Sequence, residues 1–104
     1  MTDDTLANSP DENLADEVRD GRDAERLLSD PLLIKTLDTM EEALTEAFKR
    51  APIRDDEGLM GIKLQMNALH AFRKNLKTCV DTGKMATIQI KAQQEADEKG
   101  NAEA

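Results

Sequence analysis

The sequence predicts an all-α protein: an antiparallel helical hairpin with a short N-terminal helix and disordered acidic ends, which we expect to be oligomeric. Apolar residues recur at steps of three and four along two long segments, as they do along one face of a helix. Aromatic residues are only 2% of the 104 residues, so the core must be aliphatic. A chain this small buries a limited share of its surface, and association is the usual remedy.

The net charge of −8 is unevenly distributed along the chain. Residues 1–30 carry a net charge of −7, residues 31–58 carry −3, and residues 92–104 carry −3. Residues 59–91, in contrast, carry +5. One basic segment therefore lies between acidic ones, and it raises the question of what that segment contacts.

Residues 1–21 are predicted to form a disordered acidic arm, because such a polar segment buries too little apolar surface to order itself. A solvated tail is the default interpretation, while a decoy for a basic partner and a mimic of DNA stay open. The arm lacks the apolar run of a signal peptide. The single cysteine, Cys79, fits a reducing compartment, so we expect a cytoplasmic location.

The helical hairpin core is predicted over residues 22–83. A short helix over Arg22–Ser29 comes first. Asp30 then suits an N-cap and Pro31 the first helical position, which places a boundary there. The helix that follows should run to about Arg50, a rod of about 30 Å, before Ala51-Pro52 ends it.

The second long helix is predicted to start after the acids at 55–57 and to run to Thr82, with Gly83 as a left-handed C-cap. The two long helices make an αα-hairpin. Residues 84–104 are predicted to be a weak helix and a disordered tail, although residues 87–90 also alternate as a strand does.

The apolar stripes of the two long helices are the predicted oligomer interface, since two helices cannot cover such wide stripes alone. The residues assigned to it are Leu33, Leu37, Met40, Leu44, Ile62, Met66, Leu69, Phe72, Leu76 and Val80.

A basic flank borders the second stripe, where Lys63, His70, Lys77 and Lys84 recur every seven residues beside Lys74. One interpretation is contact with phosphates of DNA or with an acidic partner, through Lys63, Lys74, Lys77 and Lys84. The favoured one is pairing with Glu41, Glu42 and Glu46, across the hairpin or between subunits. Arg73 occupies a stripe position, where it is expected either to extend its charge to the hairpin edge or to pair with a carboxylate in an oligomer interface.

No catalytic, cofactor-binding or metal-binding residue is predicted. His70 has no second ligand at metal-site spacing, and Cys79 lacks the base that a nucleophile needs. No segment approaches the length of a membrane span. We therefore expect a protein that is not an enzyme.

Two stretches carry a resemblance to a known group: RDAERLLSDPLLIKTLDTMEEALTEAF (Arg22–Phe48) and LQMNALHAFRKNLKTCVDTGKMA (Leu64–Ala86). The pattern resembles small helical head and DNA-packaging proteins of tailed bacteriophages, prophages and gene transfer agents, and small terminase subunits in particular. The resemblance implies a ring-forming oligomer that recruits a large terminase or another virion-assembly protein, in the host cytoplasm if phage-encoded. Residues 1–30 are too short and acidic for the DNA-reading helix-turn-helix of that family.

The sequence thus favours an oligomeric phage-type adaptor in head assembly or DNA packaging, without a cofactor or membrane contact, and with weak non-specific DNA contact left open. Two alternatives remain at this point. One is a cytoplasmic protein-binding regulator or inhibitor that uses its acidic arm. The other is a structural scaffold protein.

Overall fold

The computed structural model describes residues 10–103, and these form three helices: α1 (Pro10–Leu28), α2 (Pro31–Arg50) and α3 (Asp56–Glu103). The predicted all-α class is confirmed. Residues 1–9 and 104, with the first part of the predicted arm and the last residue of the predicted tail, lie outside the described residues.

α3 is the long axis of the molecule. Its 48 residues span about 72 Å at 1.5 Å per residue, close to the longest dimension of 74 Å. α1 and α2 follow each other along it in the opposite direction. Gly21 of α1 lies against Gly83, and Asp38 of α2 lies against Arg73. The hairpin therefore has a broken arm, α1 with α2, and an unbroken arm, α3.

The break between α1 and α2 follows from local chemistry. The Asp30 carboxylate accepts hydrogen bonds from the backbone N–H groups of Leu32 and Leu33 at 2.8 and 3.2 Å, and Pro31 opens the helix. These bonds satisfy amide groups that have no partner within the helix. The predicted N-cap at Asp30 is confirmed.

The turn from α2 to α3 also follows the predicted signals. α2 ends with Ala51, whose N–H donates to the Ala47 carbonyl at 3.0 Å, and Pro52 follows. Asp55 accepts a hydrogen bond from the Gly58 N–H at 3.0 Å, and Asp56 begins α3. The acids at this turn thus cap the helix start, as expected.

The predicted C-cap at Gly83 is wrong. α3 continues through this residue, and no glycine in the described part of the chain has a positive φ. Gly83 serves close helix contact instead. A Cβ built on it would lie 2.9 Å from the Glu17 carbonyl oxygen and 2.9 Å from the Gly21 Cα. Only a residue without a side chain lets the two backbones approach this closely.

The predicted boundaries at both ends of the core change for the same reason. The helix expected over Arg22–Ser29 begins at Pro10 instead, so residues 10–21 of the predicted arm are helical. The predicted weak tail over 84–104 is part of α3 as far as Glu103. Each segment lies against the other, since Leu14 of α1 and Gln89 and Ala92 of α3 line one cavity. Considered separately, neither segment has enough to bury.

The core of the described chain is small. Its buried apolar residues are Ala24, Leu37, Leu69 and Ala86. The first and last lie where α1 meets α3, and the other two lie where α2 meets α3. Many large apolar side chains of α2 and α3 stay exposed, including Met40, Leu64 and Phe72.

Candidate functional site

An open apolar groove runs between α2 and the first half of α3. The volume of this groove is about 620 Å³. We call it the α2–α3 groove and define it by its lining residues: Leu33, Thr36, Leu37, Met40, Ala43 and Leu44 from α2, with Gln65, Ala68, Leu69 and Phe72 from α3. Leu37 and Leu69 form its floor, because they are buried while Met40 and Phe72 remain about half exposed.

The α2–α3 pair has two different sides. Leu44 and Leu69 line the groove, and they also line a smaller cavity beside Glu41, Met66 and Arg73. These two leucines therefore lie between a charged side and an apolar side.

Arg73 organises the charged side. Its guanidinium donates a hydrogen bond to the Asp38 carboxylate at 3.0 Å and lies 3.5 Å from a Glu41 carboxylate oxygen. The sequence placed Arg73 at the hairpin edge or in an oligomer interface, whereas it pairs with two acids of α2 within the chain. Exposed pairs of this kind contribute about 0–1 kcal/mol each, so their main effect is to fix how α2 lies on α3.

The groove side carries no charge. None of its ten lining residues is ionisable. The positions one turn away on the same side, Leu32, Ala47, Gly61, Leu64 and Asn75, are uncharged as well. In a chain with 35% charged residues, an uncharged face of this length is typical of the centre of a protein interface, where charges are depleted.

The groove brings together six of the ten residues predicted for the oligomer interface: Leu33, Leu37, Met40, Leu44, Leu69 and Phe72. The others lie elsewhere. Met66 lies on the charged side, and Val80 lines the contact between α1 and α3 beside Val18. Ile62 and Leu76 are partly buried outside the groove lining. Val80 was expected in the oligomer interface, and instead faces α1 because α1 extends further than predicted.

Sequence reasoning missed the small and neutral lining residues Thr36, Ala43, Gln65 and Ala68. Helical periodicity marks the largest apolar side chains, whereas an interface also needs small residues that admit a partner's side chains. Their signal is present in the sequence. On one side of both helices, the positions that flank the apolar stripe are Ala, Thr, Gln or Asn instead of Lys or Glu.

The basic flank lies on the exposed surface of α3. Lys63, His70, Lys77 and Lys84 are all exposed, and Lys91 continues the seven-residue spacing. Among the described residues, no carboxylate lies within ion-pair distance of these side chains or of Lys74. At 1.5 Å per residue, the row from 63 to 91 is about 42 Å long.

The predicted pairing of this row with α2 across the hairpin is wrong for the isolated chain. Glu41 pairs with Arg73. Glu46 pairs with Lys49 and Arg50 of its own helix, at 3.8 and 4.0 Å. These nearer cations occupy the two acids, because residues three or four apart on one helix are neighbours. Pairing between subunits stays a prediction, as does contact with DNA.

The described part of the chain offers no group of three His, Cys, Asp or Glu side chains arranged to hold a metal ion. Cys79 is exposed and is not part of a disulfide. No helix among the described residues is both long and apolar enough to cross a membrane.

Comparison with known proteins finds no matching family model, no matching curated protein and no matching solved structure.

Proposed function

We propose that this chain is an adaptor without enzymatic activity, which works as a homo-oligomer in phage-type head assembly or DNA packaging. The observation that carries the oligomeric part is the uncovered, charge-free α2–α3 groove. Single chains seldom expose a continuous apolar surface of this kind unless a protein binds there.

The phage-type part rests on the resemblance of two segments, Arg22–Phe48 and Leu64–Ala86, to small head and packaging proteins. The fold is compatible with the role that the resemblance implies. A long helix with a shorter arm folded along it offers an apolar face for self-assembly and leaves its other surfaces for a second protein. The partner of that second surface is a large, ATP-hydrolysing terminase subunit or another virion-assembly protein.

Co-expression with a large, ATP-hydrolysing terminase subunit tests this proposal. We expect the two proteins to purify as one complex, with several copies of the chain per complex by native mass spectrometry. Ala68→Asp places a charge in the groove lining and should reduce the copy number to one. Thr78→Asp adds the same charge at an exposed position of α3 outside the lining, and should leave the complex intact.

Two results would count against the proposal. A chain that stays monomeric contradicts the oligomeric part. An oligomer that binds neither a large terminase subunit nor any other phage head or packaging protein contradicts the phage-type role. In that case the alternative function, a regulator or inhibitor that binds its partner through the acidic segment, explains the protein better.

Weak, non-specific DNA contact through the basic flank is a second candidate activity. Among the described residues these lysines have no carboxylate partner, and this favours it. Each subunit offers only a few cations, so binding should depend on assembly. Log affinity should fall with log salt by about 0.9 per phosphate contacted. The triple change Lys74→Glu, Lys77→Glu and Lys84→Glu should abolish a mobility shift and leave the oligomer unchanged. If the same change disrupts the oligomer, the basic flank pairs with acids of a neighbouring subunit instead.

A further inference from the structure

We infer that the α2–α3 groove binds the same groove of a second copy, so that two chains form a four-helix bundle related by a twofold axis. This inference rests on the proposed oligomeric function and specifies the surface that assembles.

The groove is complementary in shape to the same groove of a second copy. Met40 and Phe72 project from its two walls and are each 48% exposed. Ala43 and Ala68 lie one turn from these large residues and leave space beside them. The projecting side chains of a second copy can enter this space, as side chains interdigitate in helical bundles.

The size of the face suits a stable pair. α2 is 20 residues long, about 30 Å, and two neighbouring helices are each about 10 Å across. The face thus covers roughly 600 Å², close to the ~800 Å² that each partner buries in a standard stable complex. Leu64 and Met60, 60% and 61% exposed on the adjoining turns of α3, extend the apolar surface.

The charge pattern selects a copy of this chain over a strongly charged partner. Two chains of net charge −8 repel each other, and contact on a neutral surface adds least to that repulsion. The groove is such a surface, since Asp38 and Glu41 lie on the opposite side, where both pair with Arg73. A basic or acidic partner helix would find no complementary charge along the groove walls.

A twofold axis can relate the two grooves in two ways. An axis perpendicular to the helices and close to residue 68 places α3 of one copy antiparallel on α3 of the other, so that the two Ala68 residues lie near each other. An axis parallel to the helices places α3 on α2 of the second copy, so that Ala68 faces Ala43. Both arrangements are isologous.

Cysteine cross-linking in the full-length chain tests the inference. Cys79→Ser removes the native thiol, and single cysteines are then introduced as Ala68→Cys, Ala43→Cys or Thr78→Cys. Each variant, and a mixture of the first two carrying different tags, is treated with a short bismaleimide at micromolar protein. We expect covalent dimers from Ala68→Cys alone or from the mixture, at a rate at least tenfold above that of Thr78→Cys, and light scattering confirms that each variant still assembles.

Two results would overturn the inference, and they differ in what they say about the proposed function. If the variants assemble but only Thr78→Cys cross-links, another surface forms the oligomer, and the proposed function stands. If wild-type protein and all variants are monomeric by light scattering, the groove has no second copy, and the oligomeric function fails with it.

Discussion

The two helix contacts along α3 differ in how complete they are. Where α1 crosses α3, Gly21 and Gly83 bring the backbones into direct contact, and Ala24 and Ala86 are almost fully buried. Where α2 meets α3, two buried leucines hold the helices together on one side and a groove of about 620 Å³ stays open.

The two contacts therefore differ in packing: α1 and α3 are in backbone contact at Gly21 and Gly83, whereas α2 and α3 leave an apolar groove open between them. Small residues allow the backbones of α1 and α3 to approach closely around Gly21 and Gly83. The larger side chains of α2 and α3 hold those helices further apart, so part of their apolar surface stays exposed in the single chain. The following substitutions test this difference between the two contacts, in order of decreasing expected effect on stability.

Leu69→Asp should have the largest effect. Leu69 is 9% exposed and forms the groove floor, so the change removes a buried apolar side chain and introduces a charge without a partner. Loss of a buried leucine alone costs about 2–5 kcal/mol, and the charge adds to this. Thermal melting followed by circular dichroism should show loss of most of the stability, whereas Thr78→Asp should melt within a few degrees of wild type. A stable Leu69→Asp chain would show that α2 does not depend on this contact.

Gly83→Ala should disrupt the closed contact and spare the open one. The added methyl group would meet the backbone of Glu17 and Gly21 at 2.9 Å, so α1 must move away. We expect a cost of about 1–3 kcal/mol, typical of overpacking, despite the better helix propensity of alanine. Hydrogen exchange of the amides of α1 should accelerate while those of α2 keep their wild-type rates.

Gly100→Ala is the matched control for that change, since a Cβ there has no atom within 4 Å. It should leave the exchange rates of α1 unchanged. If the α1 amides of the Gly83→Ala chain are as protected from hydrogen exchange as those of the wild type, close approach of the two backbones is not what holds this helix.

Asp30→Ala should destabilise the junction between the two contacts by about 1 kcal/mol, because it removes the acceptor for two α2 amides. The expected signature is faster exchange of Leu32 and Leu33, with α1 unaffected. Asp30→Asn provides the control, since asparagine caps a helix equally well. An equal loss of protection in both variants would contradict a capping role.

Arg73→Met should have the smallest effect, at most about 1 kcal/mol, because its pairs with Asp38 and Glu41 are exposed. The wild-type advantage should shrink further at high salt, where exposed charges are screened. A loss of several kcal/mol would show that the charged side, not the apolar floor, holds α2 against α3.

The sequence predicted the helical class, the break at Asp30 and the turn after Arg50, because each depends on local chemistry. Helical periodicity, capping acids and prolines are read from neighbouring residues. The sequence also indicated six groove residues, since they follow from the same periodicity.

What the sequence could not provide depends on contacts distant in the chain. Gly83 looks like a helix end until Gly21 is known to lie against it, because one glycine suits both a C-cap and a close crossing. The extent of α1 likewise depends on a partner more than 50 residues away. Arg73 was recognised as unusual, but its pairing with Asp38 required the register of α2 on α3.

The mass of the full-length protein in solution shows most directly whether a second copy completes the contact between α2 and α3. Multi-angle light scattering at micromolar concentration should give at least twice the chain mass of 11.5 kDa, and Ala68→Asp should reduce it to one chain while the helical circular dichroism signal is retained. A wild-type protein of 11.5 kDa that melts cooperatively as a monomer would show that no second copy completes this contact.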